Sequence, residues 1–314
     1  MQPEILFTLS ASSIRPLLAR PGATSANGVA LPQTVFELPE FVATDLELRG
    51  LNLSTDLLKG FGLPEVDRLR DAADRAHCPV LLLVEEEAID FVDRGPNWLK
   101  SLDRLKRLGL AANRLGCPSI AVRARGKDDD ATFDATAQGV KLALKELDRF
   151  DLNLLLAPTE GVTFAAARLT DLIKKIGGFR IGSYPSFAHA HATGNLDETL
   201  RKLAPYAPAI AASIRGFDPN SGAHDGYSLE ACVESVQSVG YGNTLALDFV
   251  GVGSSSEAVS AGDGEKGAAK KGTKKGAKSN ADAEPDIVAA LVKARQILQA
   301  ATMEPEPVFE DEEE

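Results

Sequence analysis

Eight short apolar runs, separated by amphipathic segments, punctuate the first 250 residues of this 314-residue chain. They are ILFTLS (5–10), LELRGLNL (46–53), PVLLLVE (79–85), SIAVRA (119–124), LNLLLAP (152–158), FRIGSY (179–184), AIAASIRG (209–216) and TLALDFV (244–250). Their apolar character is continuous rather than alternating, as strands covered on both faces require. Between them, apolar residues return at helical spacing. Residues 64–77 open with Pro64, suited to a first helical turn, and repeat Val66, Leu69, Ala73 and Ala76. Residues 98–115 place Trp98, Leu102, Leu105, Leu108, Ala112 and Leu115 on one stripe, with Gly116 positioned as a C-cap. Further helices are expected over 132–149, 163–176, 196–204, 228–239 and 286–301, with a weaker, Pro-interrupted candidate at 31–43. Eight strands, each followed by a helix, predict an α/β chain of the (β/α)8 barrel class. An open doubly wound sheet is the competing architecture, but no GxGxxG follows the first strand to support it.

Aromatic residues make up only 6% of the chain, so the core must be built from Leu, Val, Ile and Ala. The expected organisation is barrel strands within 1–252, a low-complexity insert at 253–285, a final barrel helix at 286–302 and an acidic tail at 303–314. The insert is rich in Gly, Ala, Ser and Lys and too poor in large apolar residues to offset the entropy of ordering, which predicts disorder. Its six lysines between 266 and 278 leave a formal charge of −17 on the rest of a chain whose total is −11. A solvated linker is the first reading of that run; contact with an anionic partner or with the acidic tail is the second. GEKGAAKKGTKKGAK does not match GxxxxGK[ST] and is rejected as a phosphate loop. The acidic balance argues against general nucleic-acid affinity. Cys78, Cys117 and Cys232 form no CxxC pair and read as buried thiols. The start lacks a basic n-region, and no run nears the ~18 apolar residues a membrane span needs, so a cytoplasmic location is expected.

Three stretches carry a resemblance. LDRLKRLGLAANRLGCPSIAVRA (102–124), DLNLLLAPTEGVTFAAARLTDLIKKIGGFRIGSYPSFAHAHATGN (151–195) and SVGYGNTLALDFVG (238–251) resemble, in order and spacing, units of the xylose-isomerase-like sugar phosphate isomerase/epimerase family. The resemblance covers roughly residues 45–250. It implies a barrel whose chemistry sits at the C-terminal ends of the strands, where one divalent cation is held by Glu, Asp, His and Glu from strands five to eight. Such a cation, Mg, Mn or Co, polarises adjacent sugar oxygens while carboxylates move a proton.

Carried over position by position, that ligand set is mostly lost. The fifth-strand Glu falls on Ala157, the sixth-strand Asp on Ser186 and the seventh-strand His on Ser213. Asp248 stands at the eighth-strand Glu position, His189 matches the His of the sixth-strand D-x-x-H motif, and Arg215 matches a basic residue of the seventh unit. One carboxylate, even with an imidazole, has too little charge to dehydrate a hard cation, so no metal or other cofactor is expected. A rebuilt site would draw on Glu160, His189, His191 and Asp248. His189 and His191 fall in an expected loop, SFAHAHATG, and Arg123, Arg125 and Arg215 are candidates to clamp an anion or contact a small sugar or polyol. One of Glu85, Glu86 and Glu87 is expected to pair with an arginine, and His224 and Asp225 to be structural or solvated. Three roles remain open: a binding or scaffold barrel without metal-dependent isomerisation, an isomerase or epimerase using His189 and Asp248, and a protein-interaction role through insert and tail.

Overall fold

A computed structural model describes residues 4–18, 24–25, 28, 30–251 and 286–303. The insert 253–285 and nearly all of the acidic tail 303–314 lie outside the described residues. Eight parallel strands form one sheet: β1 (Leu6–Ser10), β2 (Leu51–Ser54), β3 (Val80–Val84), β4 (Ser119–Arg125), β5 (Asn153–Ala157), β6 (Ile181–Ser183), β7 (Ala209–Ile214) and β8 (Thr244–Phe249). Their spatial order is β6-β5-β4-β3-β2-β1-β8-β7, so every neighbour but one pair is bonded as a ladder. The remaining gap, between β6 and β7, is bridged just past the end of β6. There Ser186 pairs with Ala211, and the Ala211 amide donates to the Pro185 carbonyl at 2.9 Å. The sheet thus curls into a (β/α)8 barrel, and the doubly wound alternative is excluded.

A helix follows each strand: α1 (Leu38–Thr44), α2 (Leu63–Arg75), α3 (Pro96–Leu115), α4 (Asp130–Leu147), α5 (Ala166–Ile176), α6 (Leu196–Leu203), α7 (Leu229–Gln237) and α8 (Ile287–Thr302). The apolar stripes foreseen in α2 and α3 are the buried faces: Val66, Leu69 and Ala73 in one, Trp98, Leu105, Leu108, Ala112 and Leu115 in the other. Gly116 ends α3 with φ 71°, a left-handed conformation that glycine adopts without steric cost. Three expectations shift. The candidate helix at 31–43 becomes regular only at Leu38, beyond a 3-10 turn at Val35–Glu37, because Pro39 fits a first turn but not a helix interior. The helix expected from 163 starts at Ala166. SFAHAHATG is not a loop: Phe187–Ala192 is a short helix whose N-cap, Ser186, accepts from the His189 amide.

Strand parity sorts the side chains into two cores. Leu9, Leu53, Val122, Leu156, Ile210 and Leu247 pack outward under the helices. Inside the barrel, Leu82, Ala121, Leu155, Ala157, Tyr184, Ala209 and Ala211 form a separate, mostly small-residue cluster. The short strand Ile89–Asp90 extends the sheet beside the end of β4. It lies so close to α4 that a Cβ on Gly139 would stand 2.2 Å from the Phe91 carbonyl oxygen. Gly139→Ala should therefore cost about 1–3 kcal/mol, read as a lower melting temperature with no change in the far-ultraviolet spectrum. No helix among the described residues is long and apolar enough to cross a membrane.

Candidate functional site

The inward positions at the C-terminal ends of the strands define the barrel mouth, where barrels of this class carry their chemistry. Register places Ser10 beside Asn52, Ala157 beside Arg123 and Ser213 beside Asp248. Two cavities, of about 500 and 330 Å³, open instead at the N-terminal end, one against Leu6 and Arg49 and the other against Arg180 and Asn243. They lie far from the strand ends that bear the polar groups, and the mouth remains the site that the chemistry points to.

Asp248 is the centre of that mouth. Its Oδ1 accepts from the hydroxyls of Ser12 (3.1 Å) and Ser13 (3.5 Å), and Ser12 in turn meets Ser10 at 2.8 Å. Ser12 and Ser13 come from the turn that follows β1, ASSI (11–14), which closes over β8; the Ser13 hydroxyl also receives the Phe249 amide at 2.7 Å. Burial raises the carboxyl of Asp248 above its ordinary value; the serine hydroxyls oppose that rise, and nearby Glu86 adds to it. Tyr184, 8% exposed, fills the inner mouth just past β6. Burial, then the charge of Asp248, pushes its phenol well above the usual range, with Asn52, Glu86 and Arg123 also acting on it. Asn52 is 1% exposed, and neither its Oδ1 nor its Nδ2 has a hydrogen-bond partner. The phenol of Tyr184 influences this amide without closing a well-formed hydrogen bond to it.

The glutamate run after β3 is divided between two arginines, where a single pairing was expected. Glu85 receives both Nε (2.9 Å) and Nη2 (2.6 Å) of Arg104, which also reaches Glu87. Glu86 accepts from Ser54 at 2.8 Å and pairs with Arg123 at 3.2 Å. Arg123 is thereby committed to Glu86 and its main-chain carbonyl rather than free to clamp an anion.

The histidines separate. His189 is tied through Nε2 to the Phe164 carbonyl at 2.8 Å, with its ring edge-on to Phe164. Burial lowers its basicity, and its Nδ1 is buried without a partner. His191 is exposed and lies against Tyr227. His224 is structural: its Nδ1 faces the Tyr227 carbonyl (2.9 Å) and its Nε2 takes the Arg215 amide (3.0 Å), which fixes the proton on Nδ1. The Tyr227 hydroxyl donates to the Ser213 carbonyl at 2.6 Å, locking the loop after β7 onto the strand. Tyr227→Phe should cost about 1 kcal/mol in chemical unfolding. Arg215 is half-buried with no ion pair among the described residues, and Glu160 is exposed in the loop after β5. The mouth therefore brings together Asp248, Tyr184, Asn52 and Arg123, while His191 and Glu160 stand on exposed surface.

No family model matches the sequence, and no curated protein matches it. Solved structures do. A D-psicose 3-epimerase from Clostridium cellulolyticum H10, with D-tagatose, superposes with TM-score 0.67 at 12% identity, covering 96% of this chain and 99% of that one. An L-ribulose 3-epimerase gives 0.66 at 12%, covering 95% of each chain. A probable 3-DHS dehydratase from Bacillus anthracis gives 0.59 at 13%, covering 78% and 92%. The fold is that of the xylose-isomerase-like barrels. At these identities the likeness is one of fold, and the chemistry must be read from this chain's own residues.

The divalent cation implied by the xylose-isomerase-like barrels does not fit these residues. Ala157 presents a methyl group, and Ser186 is spent as a helix cap with its oxygen on the His189 amide at 3.1 Å. Ser213 is a buried neutral hydroxyl, and Asp248 is ringed by hydroxyl donors. Among the described residues, no group of three or more His, Cys, Asp or Glu side chains is placed to hold a metal ion. The two mouth residues that sequence reasoning passed over are Tyr184 and Asn52. The lone polar residue inside LNL was the signal for Asn52; FRIGSY held none that fixed the direction of Tyr184.

Proposed function

We propose that this barrel binds a small, uncharged, polyhydroxylated molecule, a sugar or polyol, at its C-terminal mouth, and does so without the metal-dependent isomerisation of its structural neighbours. The observation that carries the reading is the buried, unpartnered amide of Asn52 beside Tyr184 and Asp248. A buried donor and acceptor left unpaired cost about 1–3 kcal/mol each, so the native site calls for a polar occupant. Hydroxyl groups, which both donate and accept, answer an amide, a phenol and a carboxylate together. A resident cation is not supported by a donor set of one carboxylate, two neutral hydroxyls and a methyl.

An active isomerase built on His189 and Asp248 has less support, because the Nε2 of His189 is committed to the Phe164 carbonyl. The interaction role assigned to the insert and tail falls outside the described residues. Binding is tested by saturation-transfer NMR with D-fructose, D-tagatose, D-psicose and xylitol in the presence of EDTA. Transfer that is present in the parent and lost in Asn52→Leu is the expected outcome. Silence across ketoses and polyols alike would remove the reading.

A further inference from the structure

We propose that the cavity lined by Phe179, Arg180 and Tyr206, at the N-terminal end of the barrel, docks an acidic segment bearing an aromatic residue. Its occupant is this chain's own segment 304–314, EPEPVFEDEEE. The site lies at the opposite end of the barrel from the mouth and is independent of the ligand-binding reading above.

The cavity asks for such a segment. It encloses about 330 Å³, room for one aromatic ring, and Pro205, Tyr206 and Pro208 supply apolar walls. Phe179, which also lines it, is 88% exposed, and Leu6, Val239 and Met303 are further large apolar side chains exposed at this end. Barrels of this class use that end for stability, so an unfilled apolar surface there calls for a cover. Arg180 meets Asp151 through Nη2, but its Nη1 is withdrawn from solvent without a hydrogen-bond partner. A guanidinium with one arm unengaged is suited to a second carboxylate. Lys174, in the last turn of α5, is exposed and has no ion pair among the described residues. No acidic side chain is among the described residues that line this cavity, whereas Glu4 and Glu47 line the larger one. That difference directs an acidic occupant here.

The chain path delivers one. Helix α8 runs back along the barrel and ends at this face, where Nε2 of Gln237 donates to the Thr302 carbonyl at 3.4 Å. Gln237 closes α7, and the loop from there to β8 carries Asn243, which lines the cavity. Residue 304 therefore starts beside the cavity's own loop. Strands β8 and β6 are two spacings apart, roughly 10 Å, and the stretch from Met303 to Phe309 reaches up to roughly 20 Å. Phe309 can then enter between Phe179 and Tyr206 while Glu310 meets Arg180. The segment holds seven acids and no base, which matches Arg180 and Lys174 in sign.

The test digests the full chain, folded and at low salt, with a glutamate-specific endoprotease. Intact mass follows cleavage after Glu310, beside the synthetic peptide 303–314 alone. Cleavage in the full chain should be about tenfold slower than in the peptide. Arg180→Glu and Phe309→Ala, each with its folding verified by a melting curve, should both bring it to the peptide rate. Cleavage at the peptide rate in the parent would overturn the proposal. So would protection that survives Arg180→Glu, which would place the segment elsewhere, against the lysine-rich insert for instance. Protection that fades on dilution would assign the cavity to the segment of a second copy and overturn docking within one chain.

Discussion

Replacing Glu85 with alanine is expected to destabilise the barrel by about 3 kcal/mol, a drop of roughly 6–12 °C in melting temperature. Glu85 is 2% exposed and stands just past the end of β3, where it accepts two parallel bonds from Arg104 of α3. It also takes the Thr55 hydroxyl at 3.2 Å and the Glu87 amide at 2.9 Å. Losing it unpairs those donors and detaches the helix that covers β3. The guanidinium of Arg104 is itself 31% exposed and keeps Glu87, which holds the cost at the lower end for a buried ion pair. The surface pair Arg107–Asp103, one turn apart on the same helix, supplies the control: both side chains are more than 60% exposed, and Asp103→Ala should cost no more than about 0.5 kcal/mol. Thermal melts of the two variants compare them directly. Equal, small shifts would mean that the Glu85 cluster does not anchor α3.

Restoring the missing ligands should create a cation site at the barrel mouth, where no cluster of three or more His, Cys, Asp or Glu stands among the described residues. Ala157→Glu, Ser186→Asp and Ser213→His together would add two carboxylates and an imidazole around Asp248. Affinity for hard cations follows ligand charge closely, and Mn binding measured by calorimetry should rise at least about 100-fold. Ser186→Asp keeps its capping role, since aspartate caps a helix as well as serine. The other two changes crowd Tyr184 and the inner cluster, and the triple variant should melt lower by an amount equivalent to about 1–3 kcal/mol. A well-folded triple variant with no gain in Mn affinity would show that Ala157, Ser186 and Ser213 are not the positions from which a ligand set converges.

The barrel was legible because its signals are local. Continuous apolar runs mark strands buried on both faces, and the stripes in α2 and α3 name mostly buried residues, Ala76 and Leu102 being only partly buried. Asp248 was singled out through the resemblance, as the carboxylate standing at the eighth-strand Glu position. Tyr184 was not, because an aromatic residue at the end of FRIGSY looks the same in sequence whether it fills an outer core or turns into the barrel. Only the alternation of Ile181 outward, Gly182 inward and Ser183 outward, with its hydroxyl on the Leu203 carbonyl, settles the direction. The tie between Asp248 and Ser12 spans 236 positions and the pairing of Glu86 with Ser54 spans 32, so neither is visible to periodicity. His189 shows the converse: the residue survives at the matching position, but its imidazole is drawn to the backbone of Phe164. Presence at a motif position is not commitment to its chemistry.

Divalent-ion content is the most direct test, made on the full-length protein exposed to excess Mn and then dialysed without chelator. Elemental analysis should return far less than one equivalent of metal, with the same value for Asp248→Ala. One tightly retained equivalent, lost in Asp248→Ala, would contradict an uncharged-ligand mouth and restore a metal centre to this barrel.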